Sequence, residues 1–153
     1  LQAGPCIVSY SDIFYSAAAV KSLMDDAGEL ALTYDPNWLE LWTERFGDPL
    51  LDAETFRLGP DQTLSEIGNK PNSVDEVQGQ YMGLLRFTPG GWEEVLRIRK
   101  ALSLAECDKM HMTGTLQRVL EAENLSIRAL PYWGEWGEVD SVDDLALYKS
   151  QTN

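Results

Sequence analysis

Three acidic residues stand where a divalent metal ion can be bound. Asp12 follows a short apolar stretch, residues 6–10, that predicts a buried strand. Glu138 and Asp140 lie two positions apart in a segment predicted to be extended, so their side chains point to one face. Carboxylate oxygens are the ligands that Mg²⁺ prefers. The spacing therefore predicts a magnesium site, although acids at strand ends and helix starts are also common as caps and solvated groups.

Two further groups of residues bear on chemistry, and each has a simpler interpretation. Lys70, in the loop of residues 68–79, can reach a phosphate as a point charge or can merely be solvated. Tyr132, Trp133 and Trp136 cluster next to the acidic pair. Aromatic rings beside carboxylates can form a cage for a quaternary ammonium group, or they can belong to the core.

The overall composition excludes several classes of protein. In 153 residues, 12 Lys and Arg stand against 25 Asp and Glu, which gives a net charge of −13. We therefore expect no binding to nucleic acid or to an anionic membrane. Two cysteines far apart and one histidine argue against a disulfide framework and a multi-histidine zinc site, so a cytoplasmic location is expected. Because the first residue is Leu1 and not Met, we expect an interior start, either of a processed chain or of a fragment of something longer.

Predicted strands and helices alternate along most of the chain, which indicates an α/β fold with a mixed, mostly parallel sheet and flanking helices. Residues 53–67 predict an inserted β-hairpin. Asp35 and Pro36 predict a helix start, and the stripe of Trp38, Trp42 and Phe46 on that helix is expected to face the core. Pro89-Gly90-Gly91 is expected to end the preceding strand, before a helix that begins at Trp92. Ser16 predicts one N-cap, and Ser141 with Asp144 predicts a capping box at the start of the last helix. Residues 105–113 are expected to form a connector. We expect residues 1–153 to form one domain.

Seven segments, taken in order, resemble bacterial nucleotidyltransferases of the sugar-phosphate and phosphocholine or phosphonate cytidylyltransferase type. The resemblance spans nearly the whole chain and corresponds to the C-terminal two-thirds of such an enzyme. The matching segments are VSYSDIFY (8–15), YDPNW (34–38), DPLLDAETF (48–56), EIGNKP (66–71), GQYMGLLRF (79–87), MTGTLQRVLE (112–121) and GEWGEVDSVDDLALY (134–148).

The resemblance implies a Rossmann-like fold that is incomplete relative to the full nucleotidyltransferase fold. It also implies that Asp12 and Asp140 are metal-binding aspartates, with Glu138 beside them. Lys70 resembles the catalytic loop lysine near the acceptor phosphate. The expected substrate contacts are Gln80, where relatives often carry Glu, Tyr81 and Trp136.

The function implied by the resemblance is nucleotidyl transfer from a nucleoside triphosphate to a sugar phosphate, phosphocholine or phosphonate, with Mg²⁺ as cofactor. The Gly-rich nucleotide-binding loop with which the family begins is not among these 153 residues. The chain is therefore expected to supply the metal-binding and acceptor-binding part and to be inactive or weak alone. A homodimer is expected to cover the exposed sheet edge. The alternative function is a non-catalytic module that binds a small cationic amine or serves in assembly.

Overall fold

The computed structural model describes residues 3–151 as a mixed α/β fold. The strands are β1 (Cys6–Ser9), β2 (Ile13–Tyr15), β3 (Leu30–Asp35), β4 (Phe56–Leu58), β5 (Leu64–Ile67), β6 (Gln80–Phe87), β7 (Ile127–Pro131) and β8 (Trp136–Glu138). The α-helices are α1 (Ala17–Asp25), α2 (Trp38–Phe46), α3 (Pro89–Lys100), α4 (Leu104–Lys109), α5 (Met112–Ala122) and α6 (Val142–Gln151). Short 3₁₀ turns cover Pro49–Leu51, Pro60–Gln62 and Val74–Glu76.

The main sheet has four strands in the order β1-β6-β3-β7. The pair β3–β7 is parallel, whereas β6 runs antiparallel to both β1 and β3. The predicted mixed sheet is confirmed, but the expectation that most of its pairs are parallel is wrong for the described strands. Strand direction depends on how β6 crosses the molecule between β1 and β3, and the local sequence pattern does not encode that crossing.

Two small sheets flank the main one. The antiparallel pair β4–β5 is the predicted inserted hairpin. The antiparallel pair β2–β8 places Ile13 opposite Glu138 and Tyr15 opposite Trp136. This second pair joins a segment near the beginning of the described chain to one near its end. Glu138 is the last residue of β8, and Asp12 and Asp140 lie just outside the two strands.

Local signals predicted some helix ends and misplaced others. Ser16 caps α1, as expected, by accepting a hydrogen bond from the Ala18 amide. The strand β6 does end before Pro89, as expected, but the helix begins at Pro89 and not at Trp92. Pro89 occupies the first turn of α3, where its missing amide hydrogen costs nothing, and Thr88 is the N-cap. Asp35 is not a helix cap but the buried last residue of β3. The segment 105–113 is not only a connector, because α4 and the start of α5 lie within it.

The hydrophobic core lies on both faces of the main sheet. All six residues of β3 are buried, as expected of a central strand with neighbours on each side. The buried apolar side chains form one cluster that includes Trp42, Phe56 and Leu85. Between residues 3 and 151, no helix combines the length and the apolar character that a membrane span requires.

Truncation of a buried β6 side chain should destabilise the whole fold. Leu85 is 0 % exposed and pairs with Val8 on one side and Leu32 on the other. We expect Leu85→Ala to lower the free energy of unfolding by about 2–5 kcal/mol, because it removes buried apolar contacts and leaves a cavity. The matched control is Leu104→Ala, whose side chain is 84 % exposed and which should change stability by about 0.5 kcal/mol or less. Chemical denaturation measures both, and similar values would contradict the assigned core.

Candidate functional site

The structure brings Asp12, Glu138 and Asp140 together. One carboxylate oxygen from each residue lies within 4.8 Å of the others. Asp12 lies in the bend between β1 and β2 rather than at the end of a strand, and its carbonyl accepts a hydrogen bond from the Val139 amide at 2.8 Å. The β2–β8 ladder therefore fixes the two acidic segments against each other. Asp12 and Asp140 are exposed and Glu138 is half-buried.

A single buried arginine lies behind this acidic cluster. The Arg45 side chain is 0 % exposed. Its guanidinium donates to Glu138 Oε2 at 3.1 Å, to Asp140 Oδ2 at 3.1 Å and to Asp144 Oδ1 at 2.8 Å. Its central carbon also lies 4.9 Å from the centre of the Trp42 ring. Glu138 and Asp140 each use one oxygen for Arg45, so each has a second oxygen available for another partner.

Ionisation in the cluster follows from these contacts. Burial lowers the pKa of the Arg45 guanidinium, but the hydrogen bonds to Asp144 and Glu138 outweigh burial, so its pKa is raised and it stays charged. The hydrogen bond from Arg45 lowers the pKa of Asp144 to about 2. Burial raises the pKa of Glu138 in spite of the hydrogen bond from Arg45, and the negative charge of the neighbouring Asp140 raises it further. The half-buried Glu138 is thus the member of the cluster that gains most from an additional cation.

Asp144 has two functions in this arrangement. Its second oxygen accepts hydrogen bonds from the amide and the hydroxyl of Ser141, while its own amide donates to the Ser141 hydroxyl. This is the capping box predicted from the sequence for the start of α6. The same carboxylate therefore caps α6 and holds Arg45 in place under Glu138 and Asp140.

A cavity of about 250 Å³ opens beside the acidic cluster. Glu138 and Asp140 line it on one side. The other lining residues come from the start of β6, the segment after the first 3₁₀ turn, the start of α5 and the end of β1; they are Tyr10, Asp52, Glu54, Gln80, Tyr81, Gly83, His111 and Thr113. The described lining residues include no Lys or Arg.

The floor of the cavity depends on a glycine in β6. Gly83 has a positive φ of 76°, and a Cβ there would lie 2.7 Å from the Tyr10 ring. The Tyr10 amide donates to the Gly83 carbonyl at 2.9 Å, which ties the end of β1 to this irregular point of β6. The rings of Tyr10 and Tyr81 consequently meet edge to face, with their centres 5.8 Å apart.

Of the substrate contacts expected from the sequence, Gln80 and Tyr81 line this cavity and Trp136 does not. Trp136 is 7 % exposed, stacks on Trp42 with 6.0 Å between ring centres, and donates to Asp35 Oδ2 at 2.9 Å. Trp136 thus packs in the core, and together with Trp133 it also lines a separate cavity of about 280 Å³. Tyr132 is also buried, whereas Trp133 is 69 % exposed. Two of the three rings of the expected ammonium cage therefore belong to the core.

Lys70 lies outside the group of cavity-lining residues. Its amino group donates to the carbonyls of Leu50 and Leu51, directly before Asp52 at the rim of the cavity. The lysine is exposed. Its predicted catalytic role remains a prediction.

The sequence interpretation missed Arg45, Glu54 and Tyr10. Arg45 lies within the helical stripe formed by Trp38, Trp42 and their neighbours, which had been taken as core. A cation on an otherwise apolar helix face was the available signal, since such a group is buried only with a partner. Glu54 and Tyr10 gave no comparable signal, because only the folded chain brings them to the cavity.

Removal of the Arg45 charge should destabilise the fold strongly. Arg45→Met leaves Glu138 and Asp144 buried or half-buried without their cation, and we expect a loss of about 3 kcal/mol or more in the free energy of unfolding. Arg118→Met is the matched control, because Arg118 makes a surface pair with Glu121 at 4.0 Å and should cost about 0.5 kcal/mol or less. Urea titration compares the two variants. Equal losses would mean that Arg45 does not organise the cluster.

The depressed pKa of Asp144 predicts an acid-dependent loss of stability. A carboxyl whose pKa is lower in the folded state stabilises the protein above its ordinary pKa, and this contribution disappears as the pH falls. With a folded pKa of about 2, the stabilisation should be lost as the pH falls from about 5 to 2. Asp144→Asn should flatten the pH dependence of unfolding in that range. Asp143→Asn removes an exposed carboxylate from the same turn and should leave the pH dependence of unfolding as it is in the wild type. If Asp143→Asn flattens this dependence and Asp144→Asn does not, Asp144 is not its cause.

Comparisons with known proteins bear on the family resemblance found in the sequence. No protein-family model matches the sequence. A curated relative, the CTP:phosphoglutamine cytidylyltransferase of Campylobacter jejuni subsp. jejuni serotype O:2, is 35 % identical over 147 residues. That alignment covers 92 % of this chain and 57 % of the relative, so the chain spans little more than half the length of the protein it matches.

Solved structures of nucleotidyltransferases share the fold. The inositol-1-phosphate CTP transferase from T. maritima superposes with a TM-score of 0.71 at 16 % identity, over 99 % of this chain and 56 % of the other. A nucleoside-diphosphate-sugar pyrophosphorylase from Vibrio cholerae RC9 superposes with a TM-score of 0.58 at 12 % identity, over 97 % of this chain and 57 % of the other. The resemblance inferred from the sequence is thereby confirmed as a similarity to a curated cytidylyltransferase and as a shared nucleotidyltransferase fold. The matched part is little more than half the length of these proteins rather than the expected two-thirds.

Proposed function

We propose that this chain forms the metal-binding and acceptor-binding part of an enzyme that transfers a cytidylyl group from CTP to a small phosphorylated acceptor. In this reaction an acceptor phosphate oxygen attacks the α-phosphorus of CTP, and the bond to pyrophosphate breaks. The observation that carries the proposal is the meeting of Asp12, Glu138 and Asp140, two of which line the cavity. The Campylobacter relative, named for CTP and phosphoglutamine, supports the choice of nucleotide and of a small phosphorylated acceptor.

The residues present fit a hard divalent cation. All three donors are carboxylates, and the exposure of Asp12 and Asp140 leaves room for waters and substrate oxygens, as Mg²⁺ requires. Glu138 and Asp140 keep a free oxygen while Arg45 holds the other. When bound, Mg²⁺ supplies positive charge that offsets the charge of the phosphates in an in-line displacement.

The protein groups have separable roles in this proposal. Asp12, Glu138 and Asp140 hold the ion, and Arg45 orients the last two. Gln80 and Tyr81 contact the acceptor. The lining residues include no Lys or Arg to receive the triphosphate. We therefore expect the 153-residue chain to bind metal and acceptor but to transfer the cytidylyl group slowly.

Metal binding tests the proposal directly. Asp12→Asn and Asp140→Asn should each weaken Mg²⁺ binding about tenfold or more in calorimetric titrations, because each removes one charged oxygen ligand. Circular dichroism should show that both variants stay folded. Asp108→Asn, which removes an exposed carboxylate of α4 away from the cavity, should bind Mg²⁺ as the wild type does.

Nucleotide titration separates the proposal from its rival. We expect CTP to release heat in the presence of Mg²⁺ and much less in its absence, because a bound ion is the group through which these residues would contact the triphosphate. Equal metal binding by wild type and the Asp12/Asp140 double variant would refute the metal assignment. An absence of heat with every nucleotide, together with binding of choline, would favour the non-catalytic module instead.

A further inference from the structure

Asp144 is the closest partner of Arg45, although it does not belong to the acidic cluster. Arg45 Nε donates to Asp144 Oδ1 at 2.8 Å, and the Asp144 side chain is 7 % exposed. The bonds from the guanidinium to Glu138 and Asp140 are both 3.1 Å long, and these side chains are 22 % and 53 % exposed. A charged hydrogen bond is stronger where it is short and shielded from water. Asp144 therefore compensates more of the Arg45 charge than either of the other two carboxylates does.

The guanidinium of Arg45 has little freedom to exchange these partners. The side chain is 0 % exposed, and its central carbon lies 4.9 Å from the centre of the Trp42 ring and 4.8 Å from that of the Phe46 ring. Contacts with two aromatic rings hold the planar group in one place. Its charge is then divided among the carboxylates around it. If one carboxylate lost its charge, the guanidinium would bind the remaining two more strongly.

Asp144 is also connected to Asp140 through the backbone. Asp144 Oδ2 accepts hydrogen bonds from the Asp140 amide at 3.1 Å, from the Ser141 amide at 2.9 Å and from the Ser141 hydroxyl at 2.8 Å. One oxygen of Asp144 thus fixes the turn that carries Asp140, and the other oxygen fixes Arg45. Asp144 is not among the described residues that line the cavity, so it acts on the acidic cluster from behind.

A divalent cation and Arg45 would compete for Glu138 and Asp140. Each of these carboxylates gives one oxygen to the guanidinium. The more strongly that oxygen is held, the less negative charge the other oxygen offers to a metal ion. Asp144 weakens the competition, because it takes part of the Arg45 charge and adds a negative charge of its own. An asparagine at this position would do neither, although its oxygen could still accept a hydrogen bond at the start of α6.

We infer that Asp144 is a positioning residue for the acidic cluster, which acts through Arg45 and thereby raises the affinity of Glu138 and Asp140 for a divalent cation. The inference rests on the proposed function, because it concerns the Mg²⁺ affinity of the same cluster. Asp144 contacts neither the ion nor a substrate. What it contributes to the cluster is its charge and its bond to Arg45, and not its role in the cap of α6.

Three substitutions within one turn separate the charge of Asp144 from its capping role. Asp144→Asn removes the charge opposite Arg45, whereas Ser141→Ala removes the capping hydroxyl and leaves the ion pair in place. Asp143→Asn removes an exposed carboxylate from the same turn and controls for net charge. We expect Asp144→Asn to weaken Mg²⁺ binding about tenfold in calorimetric titrations. Each of the two controls should change it less than about twofold, because neither alters the partners of Arg45.

A double-mutant cycle on the metal-free chain supplies a readout that does not depend on the ion. Because Glu138 and Asp144 share Arg45, Glu138→Gln should destabilise the fold more in the Asp144→Asn background than in the wild type. In the Ser141→Ala background, Glu138→Gln should have the same effect as in the wild type. Urea titration measures these differences, and circular dichroism establishes that each variant is folded at the start.

The outcomes separate the inference from the proposed function. If Asp12→Asn weakens Mg²⁺ binding and Asp144→Asn does not, the metal assignment stands and the inference is overturned. The inference is also overturned if either control weakens binding as much as Asp144→Asn does, or if Glu138→Gln and Asp144→Asn are additive in the cycle. If the wild type binds no Mg²⁺, the proposed function fails, and non-additivity in the cycle still supports the action of Asp144 on Glu138 through Arg45.

Discussion

The arrangement of this molecule depends on one buried guanidinium. Arg45 extends from the last turn of α2 and meets carboxylates from β8, from the segment after it and from α6. Burying a charge is unfavourable unless its partners are fixed in good geometry. Here the β2–β8 ladder fixes Glu138 and the capping box fixes Asp144. The functional cluster is therefore held from behind by a group that a ligand in the cavity need not touch.

The excess of acidic over basic residues in the chain is also found among the residues that line the cavity. Arg45 neutralises part of the charge of Glu138, Asp140 and Asp144, but the lining residues carry an excess of carboxylates. Such a surface repels free phosphates and attracts cations. A negatively charged group is therefore repelled from this surface unless a cation accompanies it. The net charge of −13 thus accords with a site that binds cations first.

What the sequence predicted correctly was encoded locally. The N-cap at Ser16, the capping box at Ser141 and the extended pair Glu138 and Asp140 each depend on residues close together in the chain. The inserted hairpin was predicted from its turn in the same way. The direction of β6 was not predictable, because it depends on how distant strands meet. The partners of Arg45 and the meeting of Glu54 and Tyr81 at one cavity were not predictable for the same reason. The first turn of α3 was missed because proline signals both a break and a helix start.

The pairing of β2 with β8 has a consequence for how the molecule assembles. It joins segments at opposite ends of the described chain, as does the nearby contact of Ser16 with Tyr132, which are 116 positions apart. Contacts between such distant segments bear a large loop-closure entropy and tend to form after the local structure is in place. A metal ion bound by Asp12 in one segment and by Asp140 in the other would then stabilise the pairing of these two segments. Binding of the ion would add to the stability of the folded chain without being required for folding.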